Sequence, residues 1–215
     1  STIDFKPLSS YVGAEINGIN LKQISEEQFK EIKIAFGEYG VIFFRNQKLL
    51  PQEEIKFAEL WGKININRFF TNLEGYPKIA LVSKEPNQKN NIGGAWHTDH
   101  TYDLEPALGS ILFAHQVPKK GGDTLFSNMY EAYESLSDGL KDILKNMYAR
   151  HSSRHVFGVS RSEKNDDTVG RIKNSDKANQ DAIHPVVITH PETGRKALFV
   201  NPTFTIGFEG WSDDE

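Results

Sequence analysis

Apolar and polar positions alternate from residue 3 to residue 21, with Gly13 and Gly18 among them, which predicts short strands joined by a turn. The period then lengthens. Ser25 with Gln28 three residues on has the form of a capping box, and Phe29, Ile32 and Phe36 make one helical stripe that Gly37 or Gly40 can end. Gly40-Val41-Ile42-Phe43-Phe44-Arg45 is a continuous apolar run short enough for a buried strand. Pro51 with Glu53 and Glu54 suits the first turn of a second helix, with Ile55, Ala58 and Trp61 on its buried face and Gly62 closing it. Residues 64–70 and 78–84 read as strands, and the polar segment 85–91 as an exposed loop.

Further along, Ala95-Trp96-His97-Thr98-Asp99-His100-Thr101-Tyr102 is rich in aromatic and β-branched residues and reads as a strand. An apolar strand, 107–114, and a tight turn, 119–124, follow. Residues 129–136 and 137–147 read as tandem helices, with Leu140, Ile143, Leu144 and Met147 forming a core-facing stripe. Residues 158–181 carry many charges and read either as a solvated loop or as a lid. Residues 182–188 and 196–201 read as a hairpin turning through Pro191-Glu192-Thr193-Gly194.

Composition narrows the classes. A chain of 215 residues fits a single domain, and 14 Phe within 38% hydrophobic residues supply a core. The net charge of −4 is spread without a basic block, so nucleic acid is not an expected partner. No run approaches the ~18 apolar residues of a membrane span, and the first residues lack the apolar core of a secretory signal. Zero Cys excludes disulfides, thiolate metal sites and a Cys nucleophile, and fits a cytoplasmic location. There is no phosphate-binding glycine loop.

The candidate chemistry lies in the 95–102 strand. Residues i and i+2 of a strand share a face, so His97 and Asp99 would project together while Thr98 and His100 face away. An imidazole and a carboxylate at one point are two thirds of the 2-His-1-carboxylate triad that holds non-haem Fe(II). Alone, His-x-Asp is more often a surface His beside an Asp.

Its context is more specific. Trp96-His97-Thr98-Asp99, then Gly121-Gly122-Asp123-Thr124-Leu125-Phe126, then His184-Pro185-Val186-Val187-Ile188-Thr189-His190-Pro191 resemble the taurine dioxygenase family of 2-oxoglutarate-dependent Fe(II) oxygenases, which includes 2,4-dichlorophenoxyacetate and alkylsulfate dioxygenases. The resemblance runs from near residue 5 to residue 215. It implies His97 and Asp99 as metal ligands and catalytic residues, and Thr124 as a contact of the 2-oxoglutarate carboxylate. It also implies Fe(II), 2-oxoglutarate and O2 as cofactor and co-substrates, with release of succinate and CO2. Without it, Thr124 reads as a turn residue satisfying local backbone and Trp96 as a core residue.

An α+β, mainly β fold is expected: a double-stranded β-helix (jelly-roll, cupin-like) with flanking and inserted helices. In the family a third ligand and a carboxylate-clamping Arg lie in a later segment. Trp211-Ser212-Asp213-Asp214-Glu215 looks like a helix opening, so roughly 60–70 further residues carrying both are expected.

The substrate positions depart from taurine dioxygenase. Asn67, Phe70 and Gly93 stand where that enzyme has a His, a Tyr and an Asn, which argues against a buried sulfonate. Phe204 matches an aromatic pocket residue and Phe157 a second one, although a Phe in a jelly-roll strand is more often core than pocket. Arg154 and His155 are candidates for meeting an anion. A small organic metabolite with an apolar flank is the expected substrate, and a homo-oligomer is an expectation by family analogy. Two other readings remain: a cupin-like binding or scaffold protein, and a metallo-hydrolase using Asp99 and His100, which lacks the His-x-His partner such zinc sites need.

Overall fold

A computed structural model describes residues 3–158, 171–172, 178–212 and 214–215. The chain divides into two compact units. The first comprises residues 1–60, 112–141 and 187–198, and the second residues 61–111, 142–186 and 199–215.

In the first unit β1 (Asp4–Pro7) and β2 (Ala14–Asn17) pair antiparallel, and β3 (Ile42–Phe44) joins β2 in parallel. Gly13, at φ 91°, makes the turn that L-residues resist. Helix α1 (Glu26–Tyr39) begins with the predicted box: Gln28 N–H donates to the Ser25 hydroxyl while the Gln28 amide oxygen accepts from Ser25 N–H. Ile32 and Ala35 are buried on its inner face, and Gly40, at φ 70°, ends it. Gly37 lies within the helix rather than at its end, and a Cβ there would come to 3.1 Å from Thr193 Cγ2. Helix α2 (Pro51–Trp61) starts as expected, but Phe57 is its buried residue, whereas Ile55, Ala58 and Trp61 are only half-buried.

Helix α3 (Met129–Glu134) is capped by Asn128, whose side-chain oxygen accepts from Tyr130 and Glu131 N–H. It lies on a hairpin, β8 (Val187–Thr189) with β9 (Lys196–Leu198), shorter than the one expected over 182–188 and 196–201 because residues 181–185 form a strand that pairs with 148–152 instead. Arg195 of the hairpin turn pairs with Glu131 at 3.0 Å, and its guanidinium carbon lies 4.2 Å from the Tyr130 ring centre. Helix α4 (Asp138–Leu144) buries none of its residues, and Leu140 and Ile143 are exposed. Of the stripe expected to face a core, Leu144 and Met147 are half-buried while Leu140 and Ile143 stay in solvent.

The second unit holds a hairpin, β4 (Thr71–Leu73) with β5 (Tyr76–Leu81). It also holds a three-stranded antiparallel sheet in the order β10 (Thr205–Phe208), β6 (Tyr148–Ser152), β7 (Asp181–Pro185). After β6 comes the single turn α5 (Arg154–Phe157). Residues 64–70 form no strand: only Phe70 makes a bridge, to Ile172. The core of this unit is aromatic, with Phe69, Tyr102, Phe157 and Phe204 buried together with Ile172 and Ala178. Phe69 and Phe157 stack at 4.2 Å, and Tyr102 meets Phe204 edge-on at 4.8 Å, arrangements that the ring quadrupole favours.

Helices and short strands are mixed, and among the described residues no sheet closes into a barrel. The segment 107–114 is not a strand. Leu108, Ile111 and Leu112 are exposed, and without a ladder partner strand-forming residues have no reason to be extended. Most of residues 158–181 lies outside the described residues, and with it the expected lid. Among the described residues no helix is long and apolar enough to cross a membrane.

Candidate active site

The segment 95–102 is an irregular loop and turn rather than the predicted strand. His100 has a left-handed backbone, φ 60°, which breaks an extended run. The loop nevertheless brings His97 and Asp99 together, with His97 Nε2 at 3.3 Å from Asp99 Oδ1. The two-residue alternation of a strand is not what aligns them.

His97 Nδ1 lies 2.8 Å from the carbonyl oxygen of Ala95 and donates to it, so the exocyclic lone pair of the neutral ring is left on Nε2, on the Asp99 side. Gly93, at φ 70°, flanks the same edge: a Cβ there would stand 3.3 Å from His97 Cε1. The Phe204 ring meets the imidazole at 90°, 6.2 Å away. On the other partner, Ser110 Oγ donates to Asp99 Oδ2 at 2.9 Å.

Each group shifts the other. Hydrogen bonding to Asp99, reinforced by the Ala95 carbonyl, raises the His97 pKa above its ordinary value against the opposing effect of burial. The His97 hydrogen bond, helped by Ser110, lowers that of Asp99. Just beyond, Asp103 accepts from Arg68 Nη2 at 2.5 Å and lies 2.9 Å from His100 Nδ1, which engages His100 away from the pair. Among the described residues no group of three His, Cys, Asp or Glu side chains could hold a metal ion. The pair is thus a two-donor edge: a neutral imidazole nitrogen and a carboxylate oxygen, the ligand types that suit divalent iron.

The other predicted residues fall in different places. Asn67 Oδ1 accepts from Phe69 N–H at 2.8 Å and Phe70 N–H at 3.0 Å, so this side chain shapes its own turn. Phe70 is half-buried with its ring edge-on to Phe157 at 6.5 Å. Phe157 and Phe204 belong to the aromatic core, and only Phe204 also touches His97. Thr124 is exposed and belongs to the first unit. Arg154 is held by Asp181 at 2.9 Å and by the Asn179 carbonyl at 3.0 Å, and His155 Nε2 lies 2.5 Å from the Thr203 carbonyl. Ser110, Thr101, Asn201 and Thr203 were not singled out by the sequence pattern, although the Asn201-Pro202 dipeptide is a turn signal.

The model of the taurine catabolism dioxygenase TauD, TfdA family matches residues 4–215. The chain belongs to the TauD/TfdA family. An α-ketoglutarate-dependent sulfonate dioxygenase of Saccharomyces cerevisiae is 30% identical over 211 residues, covering 93% of this chain and 49% of the relative. An alkylsulfatase of Acinetobacter baylyi is 33% identical over 212 residues, covering 96% of this chain and 66% of the relative. The chain thus spans about half to two thirds of the length of these TauD/TfdA relatives. The crystal structure of a putative α-ketoglutarate-dependent taurine dioxygenase from Burkholderia xenovorans superposes with a TM-score of 0.79 at 31% identity, covering 99% of this chain and 70% of that one.

Proposed function

We propose that the protein is an Fe(II)- and 2-oxoglutarate-dependent dioxygenase that hydroxylates a small organic metabolite other than taurine. The observation that carries this reading is the 3.3 Å approach of His97 Nε2 to Asp99 Oδ1, with Nδ1 engaged by the Ala95 carbonyl. Family membership, and relatives described as α-ketoglutarate-dependent, support the reaction class.

In this reading His97 Nε2 and an Asp99 oxygen would hold Fe(II). When bound, the metal supplies the redox chemistry by which 2-oxoglutarate, O2 and a substrate C–H become succinate, CO2 and an alcohol. The chain's own contribution is positional. The Ala95 carbonyl holds the imidazole so that Nε2 is offered, Ser110 fixes the carboxylate, and Phe204 backs the imidazole with an apolar surface. The chain as a whole belongs, in this reading, to one dioxygenase domain of jelly-roll type.

Incubation with 2-oxoglutarate and a panel of compact organic acids should release succinate only when Fe(II) and O2 are both supplied, and Asp99→Ala should release none. Succinate release that survives Asp99→Ala would overturn the assignment. The two-donor count favours one other reading, a cupin-like binding protein without catalysis. That reading expects ligand binding with no succinate under any metal.

A further inference from the structure

A pair of metal-binding side chains on a strand is held by the ladder. His97 and Asp99 have no ladder, so something else must hold their loop. We propose that the turn Asn201–Thr205 is the device that positions the pair, with Asn201 and Thr203 as positioning residues. This rests on the reading of His97 and Asp99 as a metal site.

The turn grips the loop on both sides of the pair. Before it, Thr203 Oγ1 donates to the Trp96 carbonyl at 2.8 Å. After it, Asn201 Nδ2 donates to Thr101 Oγ1 at 3.2 Å. Thr101 is wholly buried and Asn201 nearly so, so the second bond is made away from water, where an unpaired amide is most costly. Between the two grips, Phe204 sets its ring against His97.

The turn is itself rigid. Asn201 Oδ1 accepts from Thr203 N–H at 3.2 Å and Phe204 N–H at 2.8 Å, while Thr205 Oγ1 accepts from Asn201 N–H at 2.9 Å. It leads directly into β10, where Thr205 pairs with His151 of β6, and Ser152 N–H donates to the Phe204 carbonyl at 2.9 Å. The loop thereby takes its order from the sheet through side chains. Groups that orient a metal ligand without touching the metal change affinity by about 10–100-fold when removed.

The test uses the intact protein and two readouts. Mn(II) affinity is followed by the electron paramagnetic resonance signal of the free ion. The contact between the His97 and Phe204 rings is followed without metal by nuclear Overhauser effects. Because Asn201 also builds its own turn, Thr101→Val removes the same bond from the other side, and thermal melting checks that the fold persists. Thr203→Val and Thr101→Val should each weaken Mn(II) binding about 10-fold and lose the ring contact, and Thr203→Ser should restore both. Valine variants with parental affinity and an intact ring contact would overturn the positioning role. His97→Ala separates the two ideas: if it binds Mn(II) as the parent does, the metal reading fails, and the positioning role is then decided on the metal-free ring contact alone.

Discussion

Two histidine pairs in the second unit are built in opposite ways. His97 and Asp99 lie on an irregular loop, with Asp99 half open to solvent. His151 and His184 lie on β6 and β7, inside a regular ladder, with ring centres 5.5 Å apart. The loop pair sets a group that gains positive charge beside one that gains negative charge, so protonation of His97 and ionisation of Asp99 favour each other. The strand pair joins two groups that gain the same charge. His151 is fully buried, and burial followed by the neighbouring His184 pushes its pKa down to about 4. His151 Nδ1 has only a 3.3 Å contact with Thr205 Oγ1, and Nε2 has no hydrogen-bond partner. Closeness of two donors therefore does not make a site. What distinguishes the loop pair is complementary charge, an imidazole nitrogen left to its partner, and an open approach.

The sharpest way to break this comparison is to delete one member from each pair. His97→Ala should reduce 2-oxoglutarate turnover to background with little change in melting temperature, since its neighbours are loop residues and Phe204. His151→Leu should leave turnover intact. Succinate assays beside thermal melts on both variants check this, and activity lost in His151→Leu but kept in His97→Ala would invert the assignment.

The next effect is on stability. A histidine whose folded pKa lies below its ordinary value contributes stability that is complete above that value, near 6.5. The contribution is lost as pH falls toward about 4, because the unfolded chain takes up a proton that the folded chain refuses. Between pH 7.5 and pH 5 this one group should remove about 2 kcal/mol. His151→Leu should flatten that part of the acid limb. Urea midpoints at the two pH values measure it, and an unchanged slope in the variant would show that His151 takes up its proton in the folded state.

A smaller effect belongs to Gly93. Gly93→Ala places a Cβ at φ 70° and 3.3 Å from His97 Cε1, so it is strained in the backbone, at a cost of about 1 kcal/mol or more, and crowds the imidazole. Mn(II) affinity should fall several-fold while the acid limb set by His151 stays as it was. Parental affinity in Gly93→Ala would mean that the imidazole can move without cost.

Much of the first unit was legible because its signals are local. Ser25 and Gln28 announce α1, Pro51 with two glutamates announces α2, and the turn 190–195 lies between strands only three residues long. The loop 95–102 was misread for the opposite reason. Its composition favours extension, but whether a segment is a strand depends on a remote partner, and the left-handed His100 ends any ladder. The pairing of His97 with Asp99 was still anticipated, since a two-residue spacing brings the side chains close in this turn as it would on a strand. Asn67 shows the limit of reading a pocket from matched positions, because its oxygen is consumed by Phe69 and Phe70 N–H. Thr101 and Asn201 are 100 residues apart, and no periodicity links them.

The finest test concerns the carboxylate. Ser110→Ala removes the 2.9 Å hydrogen bond to Asp99 Oδ2 and leaves His97 untouched. Water can reach both partners, so the lost bond is largely replaced, and the effect on Mn(II) affinity should be about threefold, well under 1 kcal/mol. Isothermal titration with Mn(II) resolves that difference. If Ser110→Ala costs more than Gly93→Ala, orientation of the carboxylate governs the loop pair more than freedom of the imidazole. The contrast with His151 would then lie in how Asp99 is held, and the charge complementarity of the pair would be the consequence of that hold.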